Sequence, residues 1–177
     1  MAEVYADWAG RERLFRLDFG RVMEIEEACG KEAIGAIYLR LSSGKFFANE
    51  VYQIIRIALI GGGENKVEAK HLMERHFDRT TYMENAALAG DILIALMTGI
   101  EEDPTRETGE PEPIRFSEVS QICRVFHMSP EELRRLTYAD FVNLVKGLNA
   151  SGTRRAEPPT EAEFEEILAK YEPEALK

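Results

Sequence analysis

Three histidines, two cysteines, a glycine triplet and a serine–proline helix start are the residues of this 177-residue chain whose types and spacing could do chemistry. His71-Leu72-Met73-Glu74-Arg75-His76 invites comparison with a zinc-binding helix. Two ligands on one helical face need a spacing of about four, and a spacing of five turns the second ring away. The pair therefore reads as helix-surface histidines, and no metal is expected. Gly61-Gly62-Gly63-Glu64-Asn65-Lys66 leads into a helix and could be imagined cradling a phosphate. It lacks the Gly-Lys-Ser/Thr ending and follows a helix, not a strand, so it reads as a helix stop and a new cap. Cys29 and Cys123 lie 94 positions apart in apolar helical settings. They read as reduced core thiols, not as a disulfide framework or zinc knuckle. There is no G-x-S-x-G elbow. The expectation is a chain with no catalytic residues and no cofactor.

Charge narrows the partners. Lys and Arg number 22 against 32 Asp and Glu, a formal net charge of −10. Nucleic acid and anionic membranes call for a basic face, so neither is expected. Residues 116–149 have a helix–turn–helix look, but a recognition helix should present Arg, Lys, Asn or Gln to base edges. Helix 138–149 offers few such residues, Asn143 and Lys146 with Asn149 at its end, and Arg134-Arg135 lies beside Glu131-Glu132. A protein-binding module is favoured over a DNA-binding regulator. The apolar stretch Ala86 to Ile100 is interrupted by Asp91 and is short for a membrane span. The opening MAEVYADWAG shows no secretory signal.

Aromatic residues are the remaining candidates for partner contact. Trp8, Phe46 and Phe47 fall at a ribbon and a helix entrance, where periodicity does not guarantee burial. Phe116, Phe126, Tyr138 and Phe141 are a surplus for a unit as small as residues 115–150. Core packing is the default for each, and a partner patch the alternative.

The elements that must position them follow from periodicity. Val4–Ala9 and Arg13–Phe19 flank a turn near Gly10, and Phe15, Leu17 and Phe19 alternate with Arg16 and Asp18, the pattern of a half-buried hairpin. Apolar stripes at helical spacing run through Val22–Cys29, Ile34–Leu41 and Val51–Leu59, each closed by glycine. Asn65-Lys66-Val67-Glu68 and Thr81-Tyr82-Met83-Glu84 resemble capping boxes for a fourth and fifth helix. The fold class is mainly α: a helical domain with an N-terminal β-hairpin, plus a small three-helix module.

Proline and charge mark the boundaries. Residues 1–100 hold none of the seven prolines. Residues 101–114 hold six acids, one base and three prolines, and read as a flexible acidic linker. Residues 115–150 form the small module, opened at Ser129-Pro130-Glu131-Glu132 by a strong helix start. It is too small to stand without help, so its apolar faces pack on the first domain or on a partner. Residues 151–177 are a polar tail with a short helix, Thr160 to Tyr171.

Arg16-Leu17-Asp18-Phe19-Gly20-Arg21-Val22-Met23-Glu24-Ile25-Glu26-Glu27-Ala28-Cys29-Gly30 and Ile54-Ile55-Arg56-Ile57-Ala58-Leu59-Ile60-Gly61-Gly62-Gly63 resemble the tail proteins of gene transfer agents and related long-tailed phages. The resemblance covers about residues 1–100. Ser129 to Phe141 resembles a small phage tail assembly chaperone module, S-P-x-E-L-x-x-L-T-x-x-[DE]-[FL], with Phe116 and Arg135 where that module often carries tryptophan. Together they imply a tail assembly chaperone in the cytoplasm of a bacterial host. Such a chaperone would bind the tape measure protein and recruit tail tube subunits, with a homo-oligomer possible. The alternative is a structural tube or minor tail component.

Overall fold

The structure is a computed structural model that describes residues 2–100 and 113–152. Strands β1 (Ala2–Trp8) and β2 (Arg11–Leu17) pair antiparallel, with Trp8 opposite Arg11. Ala9 and Gly10 both take positive φ, 52° and 81°, the turn whose twist suits a two-residue hairpin. The second strand stops short of the expected Phe19. Asp18 accepts the Arg21 N–H at 2.8 Å and caps a helix, which overrides the alternating pattern. Phe19 thereby opens α1 (Phe19–Ala28) and is fully buried.

Helices α2 (Ile34–Ser42), α3 (Ala48–Gly61), α4 (Lys66–His76) and α5 (Tyr82–Met97) follow, with a 3-10 turn, Phe77–Arg79, between the last two. The predicted caps form. Asn65 Oδ1 accepts the Glu68 N–H at 2.8 Å, and the Thr81 N–H donates to Glu84 at 3.0 Å. The mainly α fold with its N-terminal hairpin is as the sequence predicts. Helix α3 is the centre, touching β2, α1, α4 and α5. Its Val51, Ile54, Ile55, Ile57, Ala58 and Leu59 are all buried, which its β-branched, nearly charge-free sequence requires.

The end of α3 meets β2 backbone to backbone. A Cβ on Gly61 would stand 2.0 Å from the Arg16 carbonyl oxygen, and one on Gly62 1.8 Å from that of Leu14. The glycine run is therefore a contact surface as well as a helix stop.

The ribbon is also tied to α5. The Trp8 indole N–H donates to Asn85 Oδ1 at 3.0 Å, and Asn85 Nδ2 donates to the Phe77 carbonyl at 2.8 Å. Asn85→Ala would leave the indole N–H buried without an acceptor. It is expected to cost about 2 kcal/mol, read from urea unfolding; a loss under about 0.5 kcal/mol would show that the bond is dispensable.

Helices α6 (Phe116–Val125), α7 (Pro130–Arg135) and α8 (Tyr138–Gly152) complete the described chain. The chain up to Asn143 is one compact unit and the chain from Leu144 is another, with the boundary inside α8. In the second unit the described residues, 144–152, are helical. The stretch 101–112 of the predicted linker, residues 153–177 of the predicted tail and the helix Thr160–Tyr171 lie outside the described residues.

Within the first unit, residues 113–143 fold against α1. The Phe19 N–H donates to the Leu136 carbonyl at 2.9 Å, and the Phe19 and Phe141 rings stack with centroids 3.8 Å apart. Arg134 covers Gly20 and approaches Glu24 at 3.8 Å. The Ile114 N–H donates to Glu26 at 3.0 Å, and Asn143 Nδ2 donates to the Gly99 carbonyl at 2.9 Å.

Glu26 is the buried carboxylate of this seam. Burial raises its pKa, opposed by hydrogen bonds from the Ile34 and Ile114 N–H groups. A raised folded pKa means that its contribution to stability is present below the ordinary glutamate value and is lost as pH rises through the elevated one. The wild type should therefore gain stability relative to Glu26→Gln as pH falls through that window. Chemical denaturation at a series of pH values measures it, and the opposite slope would refute it.

Candidate partner-docking surface

The clearest candidate surface lies where α3 begins and the chain turns from α4 into α5. Phe46 and Phe47 lead into α3. The Phe47 side chain has no atom that can cap a helix, so Glu50 reaches back and accepts the Phe47 N–H at 3.0 Å. Arg40 of α2 is bonded to that same Glu50, and also to Glu32 at 3.0 Å. Its guanidinium carbon stands 5.8 Å from the Phe47 ring centroid. Phe47 is thus positioned from behind while 65% of its surface stays in water.

Phe46 is half-buried, its ring 5.5 Å from that of Tyr82. Tyr82 and Met83 form the first turn of α5, and Met83 is 68% exposed. The α3 start also borders an open groove of about 470 Å³. Its floor is Tyr52, Met73 and Phe77, with the Tyr52 and Phe77 rings edge to face at 5.2 Å. Its rim is Ala48, Asn49, Glu74 and Asp78. An exposed apolar surface of this kind, edged by polar groups, is the usual form of a protein contact site.

Two other hollows are lined mainly by charged side chains. One, of about 280 Å³, lies at Arg11, Arg13 and Glu64, where both guanidinium groups bond the one carboxylate, at 2.8 and 2.6 Å. The other, of about 210 Å³, is part of the α1–α7 seam at Asp18, Gly20 and Arg134.

Of the aromatics singled out from sequence, Phe46 and Phe47 are brought together here and the others are not. Trp8 is 4% exposed, a core residue fixed by Asn85 and by the edge of Phe15, and offers no face to a partner. Phe141 is buried on Phe19, so it packs the start of α8 against α1. Tyr138 is partly buried against the core, and burial, then the Glu26 carboxylate, pushes its hydroxyl up to about 12. Phe126 caps the end of α6 and is half-buried. Phe116 opens α6, and its side chain lies outside the described residues. Tyr52, Phe77, Tyr82 and Met83 were not nominated by sequence. The usable signal was local: Tyr82 and Met83 follow directly on a cap, where a helix's first turn often stays exposed.

The polar candidates have structural settings. His71 is exposed, 3.6 Å from Glu74. His76 is not the surface residue expected. It is half-buried, its ring 6.3 Å from that of Trp8. Burial, then the Glu50 carboxylate, pushes the Cys29 thiol up to about 11, which favours its protonated form. Among the described residues no three His, Cys, Asp or Glu side chains gather as a metal site, and no helix is long and apolar enough to cross a membrane.

Residues 1–99 match the family model described as phage tail tube protein, GTA-gp10. The chain belongs to this phage tail tube protein family. The match runs from β1 to the end of α5, so the candidate surface lies wholly within the matched residues, and α6–α8 lie beyond them. The family's description favours the structural tail component over the assembly chaperone. Neither a curated protein nor a solved structure matches the chain.

Proposed function

We infer that this tail tube family protein is a non-enzymatic component of a phage or gene-transfer-agent tail, held by contacts with other tail proteins. The carrying observation is that the family match covers the whole β1–α5 body, including the Phe46–Phe47 edge. A net charge of −10 supports protein rather than nucleic-acid partners. Its place of action on this reading is the bacterial cytoplasm during tail assembly.

The test is quantitative mass spectrometry of purified tails. A component is expected in fixed ratio to the other tail proteins. A second reading, the assembly chaperone for tape measure and tube proteins, is favoured by one observation. Residues 113–143 add a packed helical segment beyond the family match, carrying the Ser129-Pro130-Glu131-Glu132 start. A chaperone would co-elute with tape measure or tube protein from lysates and be missing from finished tails. Absence from both samples would end both readings.

A further inference from the structure

The groove beside Phe47 has a chemistry of its own. Its floor is apolar and well supported: Met73 is 1% exposed, and Tyr52 and Phe77 brace each other edge to face. Its rim is acidic. Glu74 and Asp78 stand on it with no cation among the lining residues. Glu74 is shared with Lys70 at 3.7 Å and His71 at 3.6 Å, both exposed, long contacts that water weakens. Asp78 is exposed, and no described side chain hydrogen-bonds or ion-pairs with it. The space is open on one side, so it suits a side chain presented by a neighbour better than an enclosed small molecule.

We propose that this groove receives a segment of another tail protein that carries a large apolar side chain with a lysine or arginine beside it. The apolar side chain seats on Tyr52, Met73 and Phe77, and the cation meets Asp78 at the rim. Phe47, at the chain position next to the rim's Ala48, extends the contact past the groove. Charge complementarity selects this occupant, because an acidic or uncharged segment would bury the Asp78 edge without compensation. A central aromatic floor with a charged rim is the arrangement in which a few residues carry most of the binding. The proposal rests on the reading of the chain as a tail protein.

The test uses the full chain and 15-residue peptides tiled across the proteins of isolated tails, with binding followed by fluorescence polarisation. Two variants probe the groove. Asp78→Lys reverses the rim charge, and Ala48→Trp, at an exposed position, fills the space. Both should keep the wild-type melting curve, which shows that they fold. The expected binders hold Leu, Phe, Met or Trp within four residues of Lys or Arg. Each variant should weaken them at least tenfold, and salt should weaken the wild type more than Asp78→Lys.

Binders without a basic residue, or binding that neither variant changes, overturn the proposal. So does a wild-type dimer that Ala48→Trp dissolves, since the occupant would then be a second copy. If the protein is present in tails yet no peptide binds, the groove proposal falls and the tail reading stands. If the protein is absent from tails and no peptide binds, both fall.

Discussion

Gly62→Ala is expected to cost about 3 kcal/mol or more, because the new methyl group meets a carbonyl oxygen that cannot rotate away. Its Cβ would lie 1.8 Å from Leu14 O, and β2 could yield only by moving as a strand. That strand carries Phe15 and Leu17, both in the core, so the shift would spread into the packing. Gly61→Ala, with 2.0 Å to Arg16 O, should behave alike. For a domain whose total stability is of order 5–15 kcal/mol, either change removes a large share. Gly90→Ala is the matched control. Gly90 lies inside α5 with nothing within 4 Å of a built Cβ, so alanine there should add about 0.5–1 kcal/mol. Urea midpoints of the three variants decide the matter. Equal midpoints for Gly62→Ala and wild type would show that α3 and β2 are not in direct backbone contact.

Phe141→Ala is the second large effect, at about 3–4 kcal/mol. Phe141 is 7% exposed and stacked on Phe19, which is itself at 0%, so truncation leaves a cavity on one of the most buried rings of the molecule. The same seam predicts how shortened chains behave. A fragment of residues 1–100 keeps α3 and its neighbours and should fold, but with Phe19 uncovered and the Ile114–Glu26 bond gone. It should unfold at a lower urea concentration than the full chain, by at least the amount seen for Phe141→Ala. A fragment as stable as the full chain would mean that residues 113–143 do not cover α1 in solution.

What the sequence made legible was what local chemistry decides. Asn65, Thr81 and Ser129 cap their helices because a side-chain oxygen finds an N–H three residues on, with no help from the rest of the fold. Phe19 shows a contest between two local signals. Its place in the Phe15–Leu17–Phe19 alternation argued for strand, and the Asp18 cap won. The role of Gly61 and Gly62 was hidden, since a helix stop and a close approach both use glycine and only β2 distinguishes them. Trp8 was hidden for the same reason, its partner Asn85 lying 77 residues away. Half of the candidate surface was visible as Phe46-Phe47. Tyr52 and Phe77 were not, because each belongs to a different helical segment and they become neighbours only when α3 and α4 pack.

The two ends of the stretch 101–112 are both fastened within one unit, at Gly99 by Asn143 and at Ile114 by Glu26. A protease cutting inside that stretch would therefore change the molecularity of folding and leave every bond of the α1 seam in place. The two halves, joined until then at an effective concentration of order millimolar, would hold together by the seam alone. Their dissociation would become dependent on dilution. Such a nicked protein would run as one species on a sizing column and as two bands on a denaturing gel. Separately made halves would restore each other when mixed, a natural split pair.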